Sequence, residues 1–71
     1  MPIEVAAHIT GTVWKIEKKV GENVAVGDVL IILESMKMEM PVEAPGAGTV
    51  IEIRTKETDP VQEGQILVVI G

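Results

Sequence analysis

Shifted by 37 residues, the chain nearly lands on itself, and this repeat restricts the available folds more than any other property of the sequence. Gly11-Thr12-Val13 falls on Gly48-Thr49-Val50, Ile16 on Ile53, Lys19 on Lys56, Val24 on Val61, Gly27 on Gly64 and Leu30 on Leu67, without a gap between segments 11–33 and 48–70. Two copies are too few for a solenoid, which needs about three or more stacked units. The copies must therefore pack on each other, with equivalent elements in equivalent places about an approximate twofold axis. Between them runs Leu33-Glu34-Ser35-Met36-Lys37-Met38-Glu39-Met40-Pro41, which puts Lys37 beside the midpoint of the chain.

At 71 residues the chain is read as one domain, 1–71, close to the lower limit for a self-supporting core. It has no cysteine and a single histidine, His8, so neither a disulfide frame nor a Cys/His metal site is available. Packing has to stabilise it. With 46% hydrophobic residues but no Phe or Tyr, the core must be Val, Ile and Leu, and the β-branched members favour strands. A net charge of −5 argues against nucleic acid and against an anionic membrane surface. No apolar run approaches the roughly 20 residues of a membrane-spanning helix. No basic-then-apolar leader opens the sequence. Together with the lack of cysteine, that points to a cytoplasmic protein.

Along the chain, Ile3 to Ala7 reads as a first strand, with His8 a surface or strand-end residue before the first turn. Gly11 marks a bend or bulge, and Thr12 to Lys19 a second strand. Trp14, the only aromatic, is expected to cover one end of a small barrel rather than to form a recognition surface. Turns at Val20–Asn23 and Gly27-Asp28 flank a short strand at Val24–Val26. The apolar run Val29–Leu33 is short, β-branched and bounded by turns, as in a strand buried on both faces. The next stretch could form a short helix, but Pro41 would cut it to about two turns. A hairpin turning at Met36-Lys37 is the better reading. Such turns prefer Asn-Gly or Asp-Gly, which tolerate positive φ, so Met-Lys there implies strain accepted for a reason. Pro41 lacks an N–H and places the outgoing strand, to Ala44, at a sheet edge or bulge. After the turn cluster Pro45–Gly48 the second copy repeats the first. Gly21 becomes Thr58, so those two turns are not expected to share a glycine-only conformation. Eight short strands with a twofold repeat give an all-β sandwich or barrel.

Conventional catalysis finds no foothold: there is no Ser-His-Asp or Cys-His set, no phosphate-cradling glycine loop and no metal-ligand cluster. Glu34 and Glu39, solvated beside an exposed turn, make a poor acid/base pair. An exposed lysine is most useful as a point of attachment.

Glu34-Ser35-Met36-Lys37-Met38-Glu39 closely resembles the Glu-Ala-Met-Lys-Met-Glu attachment motif of biotinyl domains in biotin-dependent carboxylases. The resemblance extends through Val20–Leu30 before the motif and Ala44–Val50 after it. Its compact size and Ser35 make the chain especially similar to the small stand-alone biotin/lipoyl attachment proteins. The departures are Ser35 for the usual alanine and Ala7-His8-Ile9-Thr10 where many members have Ala-Pro-Met-Pro. The resemblance implies a flattened barrel of two four-stranded antiparallel sheets, with the target lysine at a hairpin tip and both termini at the other end. It implies a non-catalytic biotin carboxyl carrier, a monomer in isolation, to which a biotin protein ligase joins biotin at Lys37. A biotin carboxylase then loads the carboxyl group and a carboxyltransferase unloads it. Glu34, Ser35, Met36, Met38 and Glu39 flank the site and face the ligase. Lipoate is the alternative cofactor, although lipoyl domains usually carry Asp-Lys-Ala where this chain has Met36-Lys37-Met38. An unmodified barrel acting as a structural module is a further alternative.

Overall fold

The computed structural model describes residues 2–71. Eight strands follow one another, β1 (Ile3–Ala6), β2 (Gly11–Ile16), β3 (Asn23–Val24), β4 (Val29–Ser35), β5 (Met38–Glu43), β6 (Gly48–Ile53), β7 (Pro60–Val61) and β8 (Ile66–Ile70). They form two four-stranded antiparallel sheets, ordered β1-β8-β6-β3 and β5-β4-β2-β7. Moving 37 residues along the chain turns the first order into the second, strand for strand. The repeat in the sequence is thus a repeat in the pairing.

The core obeys the same shift. Val5 and Val42, Ala7 and Ala44, Val13 and Val50, Val24 and Val61, Leu30 and Leu67, Ile31 and Val68, and Leu33 and Ile70 are all buried, and these pairs make up the whole core cluster. Ile16 and Ile53 pack against its margin. Each buried aliphatic side chain contributes on the order of 1.5–3 kcal/mol, and the two sheets contribute matching sets. Ladder irregularities recur as well. An extra residue interrupts β2 at Trp14 and β6 at Ile51, and another interrupts β4 at Leu30 and β8 at Leu67.

Three expectations need correction. Trp14 is 48% exposed rather than lying over an end of the barrel, because the bulge inserts it into the outer face. Gly11 is not itself the bulge. It opens β2, and a Cβ there would lie 2.5 Å from the Glu34 carbonyl oxygen, so close approach of β2 to β4 is what demands glycine. Thr58 does share the conformation of Gly21, with φ 76° against 96°. Its N–H donates to the Val13 carbonyl at 2.8 Å as that of Gly21 donates to Val50 at 2.7 Å, and this matching ladder holds the threonine left-handed.

The connections also set the two ends of the molecule, which is 33 Å long and 17 Å across. The start of β2 lies beside the β4–β5 turn, with Thr12 opposite Glu34, and β7 pairs with that same start through Gly11–Val61 and Thr12–Pro60. β8, following β7, therefore begins at the turn end and runs away from it. The paired residues Ile3 and Ile70 lie at the far end.

Candidate functional site

Among the described residues β4 and β5 are the one consecutive pair of strands joined as a hairpin, in continuous pairing from Leu33–Met40 through Glu34–Glu39 to Ser35–Met38. Only Met36 and Lys37 remain to turn the chain. Both have positive φ, 54° and 64°, as in the type I′ turn whose twist matches that of the flanking strands. The stretch is a hairpin, not a helix. Neither residue has the conformational freedom of Asn or Gly, and left-handed backbone costs an ordinary L-residue roughly 1–2 kcal/mol.

Lys37 projects from this turn in the open. It makes no ion pair, and no pocket opens anywhere among the described residues. Met36 is 91% exposed and Met38 58%, an unusual placement for long apolar side chains in water. Ser35 is half-buried at the base of the turn, while Glu34 and Glu39 are exposed and directly opposed across the hairpin. Like charges so placed are destabilising. All six residues read from the sequence motif thus gather at one tip. The opposition of the two glutamates is not visible in the motif itself. It follows once the turn is fixed at two residues, since Ser35–Met38 then closes the loop and Glu34–Glu39 is the next rung.

Rigidity comes from below the tip. Leu33 is buried, Met40 opposite it is half-buried, and β2 lies against β4 with Gly11 allowing the close approach. β5 is an edge strand. In an antiparallel ladder hydrogen-bonded and non-hydrogen-bonded pairs alternate. Counted from the closing Ser35–Met38 pair, Pro41 opposite Ile32 falls where β5 has no N–H to give its neighbour. Its missing donor faces the open edge and blunts that edge against further strands.

Residues 1–70 match the biotin/lipoyl family, described as "Biotin-requiring enzyme". The chain belongs to this family. It is similar to the biotin/lipoyl attachment protein of Bacillus subtilis, with 43% identity over 89% of this chain and 86% of the relative. The biotinylated protein TB7.3 homolog of Mycobacterium leprae is 40% identical over the full length of both. Among solved structures, the urea carboxylase of Kluyveromyces lactis superimposes with a TM-score of 0.95 at 38% identity, covering all of this chain and 6% of that one. This chain therefore shares the fold of one small segment of that carboxylase and spans 6% of its length.

Proposed function

We propose that the chain is one biotin/lipoyl attachment domain that carries biotin in amide linkage on Lys37, accepting a carboxyl group at a biotin carboxylase and delivering it at a carboxyltransferase. The observation carrying this reading is the turn itself, in which the lysine is one of two residues at an exposed tip, held left-handed and flanked by solvent-facing methionines. Attached biotin supplies the carboxyl-carrying chemistry, and the protein's part is presentation. No pocket opens among the described residues, and a tip extended into solvent can enter two active sites in turn. Tethering raises the local concentration of the attached group to the order of millimolar for short flexible links. Modification is assigned to a biotin protein ligase, and the carrier is assigned no catalysis of its own, a monomeric state and a cytoplasmic location.

The test is intact mass after co-expression with a biotin protein ligase. One biotin is expected on the parent chain and none on Lys37→Arg, because guanidinium is not an acyl acceptor. The variant should keep its fold, since an exposed turn substitution changes stability by about 0.5 kcal/mol or less. Biotin found on another lysine of that variant would overturn the assignment. Lipoate is the second reading, motivated by the name of the Bacillus relative. Writing Asp-Lys-Ala into the tip, as Met36→Asp with Met38→Ala, is expected to slow the biotin ligase and speed a lipoyl ligase, because an unpaired aspartate opposes an apolar ligase pocket.

A further inference from the structure

The internal repeat makes each outer face a control for the other. On the hairpin-bearing sheet, pairing sets Pro41, Ile32 and Lys15 side by side across β5, β4 and β2, with the bulge residue Trp14 adjoining. Ile32 faces outward because its neighbours Ile31 and Leu33 are both buried. The equivalent row on the other sheet is Glu4, Val69 and Glu52, with Ile51 in the bulge. Two glutamates have thus given way to Pro41 and Lys15, and an isoleucine to a tryptophan. Covering differs too. Val69 is only 6% exposed, whereas Ile32 is half-buried and Trp14 about half open to water. One rung nearer the tip on the same face stand Glu39 and Glu34, and neither takes part in the ion pairs of the described residues, Lys18–Glu22 and Arg54–Glu52.

We propose that this face, the apolar residues Trp14, Ile32 and Pro41 interrupted by Lys15, with Glu34 and Glu39 above them, is the docking surface for the biotin protein ligase, whose matching surface is an apolar patch flanked by Lys or Arg where it meets the glutamates. The proposal rests on the function proposed above. Position selects the occupant: the ligase must close over the bare Lys37 amine, whereas enzymes that act on attached biotin meet it at the end of the lysine arm. The row lies three residues from the closing pair of the hairpin, about 10 Å at a strand rise of roughly 3.3 Å per residue. A standard interface covers about 800 Å² on each partner, a disc of radius about 16 Å. An enzyme that closes over Lys37 therefore reaches the row. Charge selects the rim: two opposed carboxylates repel until a cation from the partner neutralises them. Tryptophan is among the residues enriched at the anchors of such contacts.

Initial biotinylation rates of the full chain with purified ligase, at varied carrier concentration, test the assignment. Trp14→Ala and Pro41→Glu, the latter restoring the residue of the other sheet, are each expected to raise KM for the carrier about tenfold while kcat stays within about twofold, the loss of one anchor residue. Ile51→Ala, at the equivalent place on the opposite face, should leave KM unchanged. Melting followed by far-UV circular dichroism checks that every variant is folded. If a folded Trp14→Ala and a folded Pro41→Glu both match a biotinylated parent, the docking face is overturned and the carrier function stands. An equal KM rise in Ile51→Ala overturns it as well. A parent that accepts no biotin removes both proposals together.

Discussion

Residues 11–33 and 48–70 build the same strands and bury the same core positions, yet they part company wherever the chain meets solvent. Inside, Leu30 and Leu67 occupy equivalent bulges and are almost wholly buried. Outside, Gly21 corresponds to Thr58 and Trp14 to Ile51, and the Met36-Lys37 turn has no counterpart among the described residues. At the place equivalent to that turn β8 and β1 lie paired, Ile70 beside Ile3 as Leu33 lies beside Met40, but no turn joins them. Packing tolerates little difference between the copies. Surfaces tolerate a great deal, and the differences gather on the hairpin and the sheet that bears it.

The largest test of this contrast is in the core. Leu30→Ala and Leu67→Ala should each cost roughly 2–5 kcal/mol, with the two values similar, as read from urea denaturation midpoints. For so small a domain either loss could approach the total stability. A cost confined to one of them would mean that the halves are not energetic equivalents. Next comes the unmatched turn. Replacing Met36-Lys37 by Asn-Gly should stabilise the fold by about 1–2 kcal/mol, because both residues then accept positive φ, and biotin acceptance should vanish with the lysine. A smaller change is expected where the turns do correspond. Thr58→Gly should gain roughly 0.5–1 kcal/mol and Gly21→Thr lose a similar amount, since a β-branched residue at φ 76° is strained beyond what glycine's extra unfolded-state entropy offsets. The smallest effect is at the opposed glutamates: Glu39→Lys should add roughly 0.2–0.5 kcal/mol in low salt and less at high ionic strength.

How much of this was legible beforehand depends on whether a residue obeys a period. The strands, their twofold relation and the hairpin at Met36-Lys37 follow from alternation, turn composition and the 37-residue shift. Pro41 announced its edge strand for want of an N–H. Trp14 did not, because a bulge adds one residue to the ladder and alternation cannot show which side chain becomes the extra one; the matching bulge at Ile51 appears only in the pairing. Gly11 looked like a breaker, since the carbonyl that needs its bare Cα comes from Glu34, far along the chain. Residue type alone argues against a left-handed Thr58, while its hydrogen bond to Val13 on another strand holds it there. At the tip, the motif located the lysine but not the repulsion between Glu34 and Glu39, which exists only once the register is fixed.

The pairing of β1 with β8 has a mechanical consequence. Both strands reach the same end of the barrel, so tension applied through Ile3 and Ile70 peels them apart like a zipper, loading one rung of the ladder at a time. Tension between Lys37 and that end instead runs along the strands and is shared by many hydrogen bonds at once. The barrel is therefore stiff along its length and weak where β8 meets β1. A lever built this way withstands a pull from its tip better than a pull that separates its two terminal strands.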